Sequence, residues 1–506
     1  MLNPTSLLLS AATIAAAAAV NLDWHAPAAT AVNNLTSALQ ATGTYGFIFN
    51  TSRTPDAQYG SYNWCNMPHV RRREYPLPPK DQGYELRYVE VIQRHHKRTP
   101  YAANAFPVEP YRWDCDDQGL YYFGQSLPAA DSSPGRKSAQ TYWKGMTNST
   151  INPFVPAGWI GSCQFPQITT GGLDDSRAHG EDLYAVYHTL LRFLPSRDDD
   201  DGNAWRRHVV YRVTNNQITS QVAGQLIAGT WGDSALTRSV PLLIQAAGVD
   251  SLEPQYPCPA AVAALARLQS AAASARWQQH LDAARPLFAA LDAVSGVPPA
   301  DPGFHASFDH YYDNLSARQC HGPGKPLPCN ATTGQCVAQD LADAVYRFGQ
   351  WEYSHLYRDA GPAALRAAAA AYGVWIAELA AHLRAVGAGD GAMGDVRYFH
   401  NVAHDGSLSR VLAILQIDVM VWPGMGSELV FEVYRKKKTN PDDDGVGGSA
   451  AHYVRVLFGG KPLKSSNPSL GLMDMLPLET LLAYFDGLVG QNASLIKGKC
   501  DGSIPL

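Results

Sequence analysis

The stretch "YVEVIQRHHKRTPYAANAFP", residues 88–107, decides how this chain is read. Its opening continues "YELRYVEVIQ", a run rich in β-branched and aromatic residues that spells a strand. Directly behind it stand Arg94, His95, His96, Lys97 and Arg98, and then Pro100 with "YAANAF", a loop opening a helix. In open α/β sheets, ligands bind beyond the carboxyl ends of strands, where helix N-termini add partial positive charge. Two guanidiniums flanking an imidazole suit a phosphate, because Arg forks give bidentate hydrogen bonds and His can act as a nucleophile. An exposed basic run is the ordinary alternative. It fits poorly immediately after "VEVI".

A second stretch, "YFHNVAHDGSLSRVLAIL" (398–415), repeats the arrangement. An apolar strand leads to His404, Asp405 and Gly406. A helix comes next, with Leu408, Val411, Leu412 and Leu415 on its buried face and Ser407 as a cap. Asp-Gly also spells a plain turn. In a third stretch, "HVVYRVTNNQITSQVAGQL" (208–226), Arg212 sits in an apolar strand, where a charge is costly unless paired or liganded. A structural ion pair is the competing reading. Together the three strand ends offer cations and a carboxylate to one phosphate.

The 506 residues, 46% hydrophobic and 17% charged, suffice for a large core and two lobes. A net charge of −5 offers no general field for nucleic acid or acidic membranes, so anion binding must be local. Strands alternating with helices predict an α/β sheet over 84–258 and 391–506. Residues 21–83 read as an irregular arm, and the Ala-rich 259–390 as a mainly helical, cap-like insertion. "DDDDG" (198–202) and "KKKTNPDDDGVGG" (436–448) read as solvated loops. There is no internal repeat and no GxxxxGK[ST], GxSxG or HExxH motif.

Residues 1–20 carry no charged side chain and pass from an apolar run to small residues, the pattern of a secretory signal peptide. No later segment reads as a membrane span. Eight widely spaced cysteines suit disulfides in an oxidising compartment, whereas zinc would want CxxC pairs. Cys320, Cys329 and Cys336 lie close enough to staple one loop. Six N-x-S/T sequons, at Asn34, Asn50, Asn148, Asn314, Asn330 and Asn492, add to the expectation of a secreted glycoprotein.

"RHHKRTP" (94–100) resembles the RHGxRxP signature of the histidine acid phosphatases, the branch with phytases and multiple inositol polyphosphate phosphatases. "AHDGSLSRVLAILQ" (403–416) is similar to that family's His-Asp signature, and "QITTGGLDDSRAHGEDLYAVY" (167–187) to its QLTxxGxxxHxxxG segment. The resemblance spans roughly 88–435. It implies a central, mostly parallel sheet flanked by helices, phosphoglycerate mutase-like, with a mainly helical cap lobe. By the same resemblance, His95 takes the phosphoryl group as a phosphohistidine. Arg94, Arg98, Arg212 and His404 bind its oxygens, and Asp405 protonates the leaving alcohol, with no metal or cofactor. His96 replaces the signature Gly, and His96 and Lys97 become candidates for substrate contact. The family's Arg-bearing strand often has a second Arg further on, where this chain has Gln217. A catalytically degenerate phosphate-ester-binding protein is the alternative. A mutase-type member would carry a carboxylate where Lys97 stands. The expected partner is a small phosphorylated substrate, with neither nucleic acid nor, after signal removal, membrane. Phytate, sugar phosphates and unspecific esters all stay open.

Overall fold

The computed structural model describes residues 20–46, 48, 54–79, 82–117, 122–123, 141–142, 144–146, 148–198, 204–236, 239–270, 272–321, 327–389, 393–436 and 451–506. The signal-like leader up to residue 19, Asn50 and most of the two acidic loops lie outside these residues. In chain order the first elements are α1 (Leu35–Gln40), β1 (Tyr84–Arg94), the short pair β2 (Tyr122–Phe123) and β3 (Thr141–Tyr142), α2 (Thr170–Tyr184), β4 (Val209–Val213), α3 (Gln217–Trp231) and β5 (Leu242–Leu243). Five helices come after them: α4 (Pro259–Leu268), α5 (Ala275–Ser295), α6 (Asp309–Gln319), α7 (Gln339–Ser354) and α8 (Pro362–Ala388). The chain then forms β6 (Tyr398–Ala403), α9 (Asp405–Ile414), β7 (Glu428–Lys436), β8 (His452–Phe458), β9 (Lys461–Pro462), β10 (Leu476–Pro477), α10 (Leu478–Val489) and α11 (Ile496–Asp501).

The main sheet has the order β10-β8-β7-β1-β6-β4-β5, with β9 beside β8. Strands β1, β6, β4 and β5 run parallel, and β7 continues the sheet antiparallel to β1. Central position shows in the side chains: all six residues of β6 and the last seven of β1 are buried, as expected for strands covered on both faces. Alternation sorts them. Tyr88 and Ile92 pack with α8, α9 and α10, whereas Val89 and Val91 pack with α2 and α3. Helix α8 is long and apolar enough to cross a membrane by composition, but most of it is buried inside the molecule. Its Ala367–Ala371 run is buried, and such small side chains let neighbouring helices approach closely.

The region 259–390 is not one cap, as the sequence suggested. Helices α4 and α8 belong to the sheet's covering layer. Helices α5 to α7 build a separate core with the N-terminal arm, joining Trp277, Phe288, Tyr312 and Trp351 to Tyr62, Trp64 and Trp422. The physical reason is the apolar face of α8, which has too much surface to leave uncovered in a lobe.

Four disulfides form: Cys65–Cys320, Cys115–Cys163, Cys258–Cys500 and Cys329–Cys336. Cys320, expected to share a local staple with Cys329 and Cys336, instead ties the end of α6 to the arm. Asn34, Asn148 and Asn492 are exposed. Two sequons need correcting as glycan sites. Asn314 is 3% exposed and donates its amide to the Asn104 carbonyl, and Asn330 is likewise buried, donating to Ala293. Neither side chain has room for a sugar.

Candidate active site

Strands β1 and β6 are parallel neighbours in a register that pairs Arg94 with Ala403. The two chains therefore leave the sheet side by side, and the His95 N–H donates to the Ala403 carbonyl at 3.1 Å. Residues just beyond the two strand ends must meet: the His95 and His404 rings lie 5.5 Å apart. The 167–169 segment clamps the first exit, with Thr99 N–H donating to Gln167 O and Thr169 N–H to Lys97 O. Gly172 belongs to this clamp, because a Cβ there would collide with the Lys97 carbonyl.

His95 is 1% exposed. Its Nδ1 lies 3.0 Å from the His96 carbonyl, which can only accept, so Nδ1 carries the hydrogen and Nε2 keeps its lone pair. Burial first, then the charges of Arg94 and Arg98, hold the imidazole well below its ordinary value. A neutral ring whose Nε2 keeps its lone pair can act as a nucleophile.

Arg94 reaches across to Asp405, with Nη2 3.2 Å from Oδ2, while Nη1 donates to the Pro423 carbonyl at 2.5 Å. Its guanidinium lies over Trp64 at 4.6 Å. Arg98 is held by Asp313 at 2.9 Å and rests 4.2 Å over Tyr101. Both forks are thus fixed in place before any ligand arrives.

Asp405 opens α9. Its Oδ2 accepts from Trp422 Nε1 at 2.7 Å and from the Tyr353 hydroxyl at 3.3 Å, and its Oδ1 from Gly406 N–H at 2.8 Å. Burial would raise this carboxyl, but Arg94, Trp422 and the Gly406 N–H outweigh it and hold it below the ordinary value. His404, just before it, is oriented by the Thr214 hydroxyl at 2.9 Å and by Glu253 at 3.5 Å.

The structure thus brings together Arg94, His95, Arg98, His404 and Asp405. Three other candidates stand elsewhere. Arg212 does not serve as a phosphate ligand here. Its guanidinium is spent on Glu378 and Ser251, both at 2.8 Å, on Gln245 at 2.8 Å and on Asp250 at 3.6 Å. The structural ion pair is the correct reading for this strand. His96 turns away from the pocket. It is fully buried, 3.0 Å from Gln93 Nε2 and 3.3 Å from His179 Nδ1. Space for its ring comes from Gly426, at φ +70°, where a Cβ would land on the imidazole. Lys97 is 3% exposed and pairs with buried Asp175 at 3.0 Å. Neither side chain reaches a substrate, so the side chain at the signature's Gly position does not narrow the phosphate pocket.

The groups that sequence reading missed are those that hold the others: Trp64, Thr214, Glu253, Asp313, Tyr353 and Trp422. Only Asp313 left a trace, as one of two carboxylates four residues apart in "DHYYD" (309–313), on one helix face. Gln217, at the start of α3, donates to Gln164 and to the Pro166 carbonyl. Among the described residues, no group of three or more His, Cys, Asp or Glu is arranged to hold a metal.

No family model matches the chain, and no curated protein sequence matches it. Solved structures do. The apo phytase of Hafnia alvei matches with a TM-score of 0.50 at 13% identity, covering 82% of this chain and 99% of that one. A Citrobacter braakii phytase gives 0.46 at 13% identity, covering 80% and 98%. A Bifidobacterium longum multiple inositol polyphosphate phosphatase, solved with inositol hexasulfate, gives 0.44 at 13%, covering 79% and 92%. At such identity the likeness defines the fold: this chain has the histidine acid phosphatase fold seen in phytases.

Proposed function

We propose that the protein is a secreted phosphomonoesterase working through a phosphohistidine. The observation that carries this reading is the neutral His95 imidazole, its Nδ1 hydrogen held by the His96 carbonyl, set among Arg94, Arg98 and His404, with Asp405 paired to Arg94. The fold is compatible with it.

In this reading a phosphate ester docks its oxygens on Arg94, Arg98 and His404. His95 Nε2 attacks phosphorus, the P–O bond to the alcohol breaks, and protonated Asp405 gives its proton to the leaving oxygen. Water then attacks phosphorus while Asp405 takes one of its protons, the P–N bond breaks with its electron pair returning to Nε2, and phosphate leaves with His95 neutral again. Positioning and charge compensation carry phosphoryl transfer. In the unliganded site Arg94, Trp422 and the Gly406 N–H together favour the ionised form of Asp405. A phosphate on Arg94 draws that positive charge away, which favours protonation of the carboxyl and hence work at acidic pH. Four disulfides and three exposed sequons support an oxidising, extracellular destination.

The test is phosphate release from phenyl phosphate between pH 4 and 7, with a base quench to trap the acid-labile phosphoenzyme. His95→Ala is expected to abolish both turnover and the trapped species. Asp405→Asn is expected to lower kcat by about a hundredfold or more, the usual scale of a lost general acid, while still forming some phosphoenzyme. Wild-type release no faster than that of His95→Ala would leave only the degenerate binding protein. One observation favours that second reading: with Arg212 committed to carboxylates, the cation set is smaller than the resemblance implies.

A further inference from the structure

Beyond the phosphoryl pocket, the walls differ in character from what a polyanionic substrate needs. Asp405, which would face the leaving alcohol, is bracketed by Trp422 and Tyr353, stacked on each other at 3.9 Å, with Tyr357 5.3 Å beyond. Tyr101 lies under Arg98 on the other side. Partly exposed Tyr101, Tyr353 and Tyr357 present ring surface where the alcohol half of an ester must sit.

Among the described residues, carboxylates stand at this rim beside Arg98 and Arg410. Asp309 opens α6 one turn before Asp313, with 51% of its side chain open to solvent. Its carboxyl is pushed up to about 7, first by burial and then by the like charges of Asp313, Asp405 and Glu352, with Arg98 opposing. His310, 3.8 Å away on the same helix, is the other titratable neighbour. Asp309 and Asp405 act on the same phenols: burial, then Asp405 and more weakly Asp309, push up Tyr353, and both carboxylates also raise Tyr357. Glu253 adds a carboxylate next to His404. Two cations that sequence reading offered are withdrawn: Lys97, a candidate for substrate contact, is buried on Asp175, and Arg212, a candidate ligand of the phosphoryl group, is spent on Glu378. Arg410, 5.7 Å from the Tyr357 ring, donates to its own helix at Gly406.

Resting on the phosphatase reading above, we propose that the pocket takes esters bearing a single phosphoryl group on an uncharged or aromatic alcohol, and that Asp309 turns away carriers of further phosphates. Like charges facing each other at a cleft mouth penalise the wrong ligand more than they strengthen the right one.

The experiment compares kcat/KM for myo-inositol hexakisphosphate with that for phenyl phosphate, at pH 5 and 7.5, in the unaltered chain and in Asp309→Asn. The expected ratio is below about 0.1 at pH 7.5 in the unaltered chain. It should rise about tenfold in Asp309→Asn at pH 7.5, and less than about twofold at pH 5, where the carboxyl is already neutral. A ratio of one or more at pH 7.5, an unchanged ratio in the variant, or an equal change at both pH values would each overturn the inference alone. Release of phosphate from neither ester would overturn the phosphatase reading and take this inference with it.

Discussion

His95 shows how one residue couples chemistry to stability. Its ordinary value is 6.5, and burial with two guanidiniums beside it holds the folded value well below that. Below pH 6.5 the unfolded chain therefore takes up a proton that the folded chain refuses. The stability withheld grows by about 1.4 kcal/mol per pH unit until the folded value is reached. The fold is thus weakened as pH falls, the opposite of a histidine that gains a carboxylate partner. Replacing His95 by Ala removes this burden. Relative to the parent, His95→Ala should gain stability on going from pH 7.5 to 5, by up to about 2 kcal/mol, read from urea unfolding at the two pH values. A parent-to-variant difference that does not move with pH would mean that the imidazole titrates normally, and the account of its neutrality would fall. In the proposed mechanism the same shift keeps His95 unprotonated at acidic pH, where a protonated Asp405 is needed.

Among elements, the pairing of β1 with β6 matters most, because it makes two distant segments exit the sheet together. That geometry leaves little slack in the loop after β1, which the 167–169 segment clamps from one side and Gly426 from another. Gly426 is needed twice, for its φ of +70° and for the space His96 fills. Gly426→Ala should cost about 2–3 kcal/mol, combining left-handed strain with a collision in a fully buried spot, and should depress phosphate release with it. Removing the imidazole should undo part of that. The double variant Gly426→Ala with His96→Gly should recover at least about 1 kcal/mol relative to additivity in a denaturant-based cycle. Strictly additive effects would show that the two sites do not compete for one volume.

Across the molecule, the disulfides connect parts that the sheet alone does not. Cys258–Cys500 joins the start of α4 to α11 across 242 residues, and Cys65–Cys320 joins the arm to the α5–α7 core across 255. Closing so long a loop removes much of the unfolded chain's freedom. The paired variant Cys258→Ser with Cys500→Ser should lose about 2–5 kcal/mol, seen as a lower Tm, with the candidate catalytic groups left in place. An unchanged Tm would show that the covering helices hold without the bond.

Local sequence sufficed for the strand-to-loop passages at 94–98 and 404–405, the α/β class and the helical character of 259–390. Each is a pattern of hydrophobic period and punctuation, legible wherever a segment's own residues set its conformation. Such a pattern could not say which way a side chain turns once the segment is packed. His96 and Lys97 stand inside the most telling motif and still face inward, because Gly426 and Asp175, brought by other parts of the chain, receive them. Arg212 was legible as a costly charge, but its partners Glu378 and Asp250 come from elements 166 and 38 residues away in the sequence. The same holds for Trp422 and Tyr353 around Asp405 and for the rim carboxylate Asp309. Which groups share a pocket is fixed by sheet register and helix packing, and no local pattern carries that information.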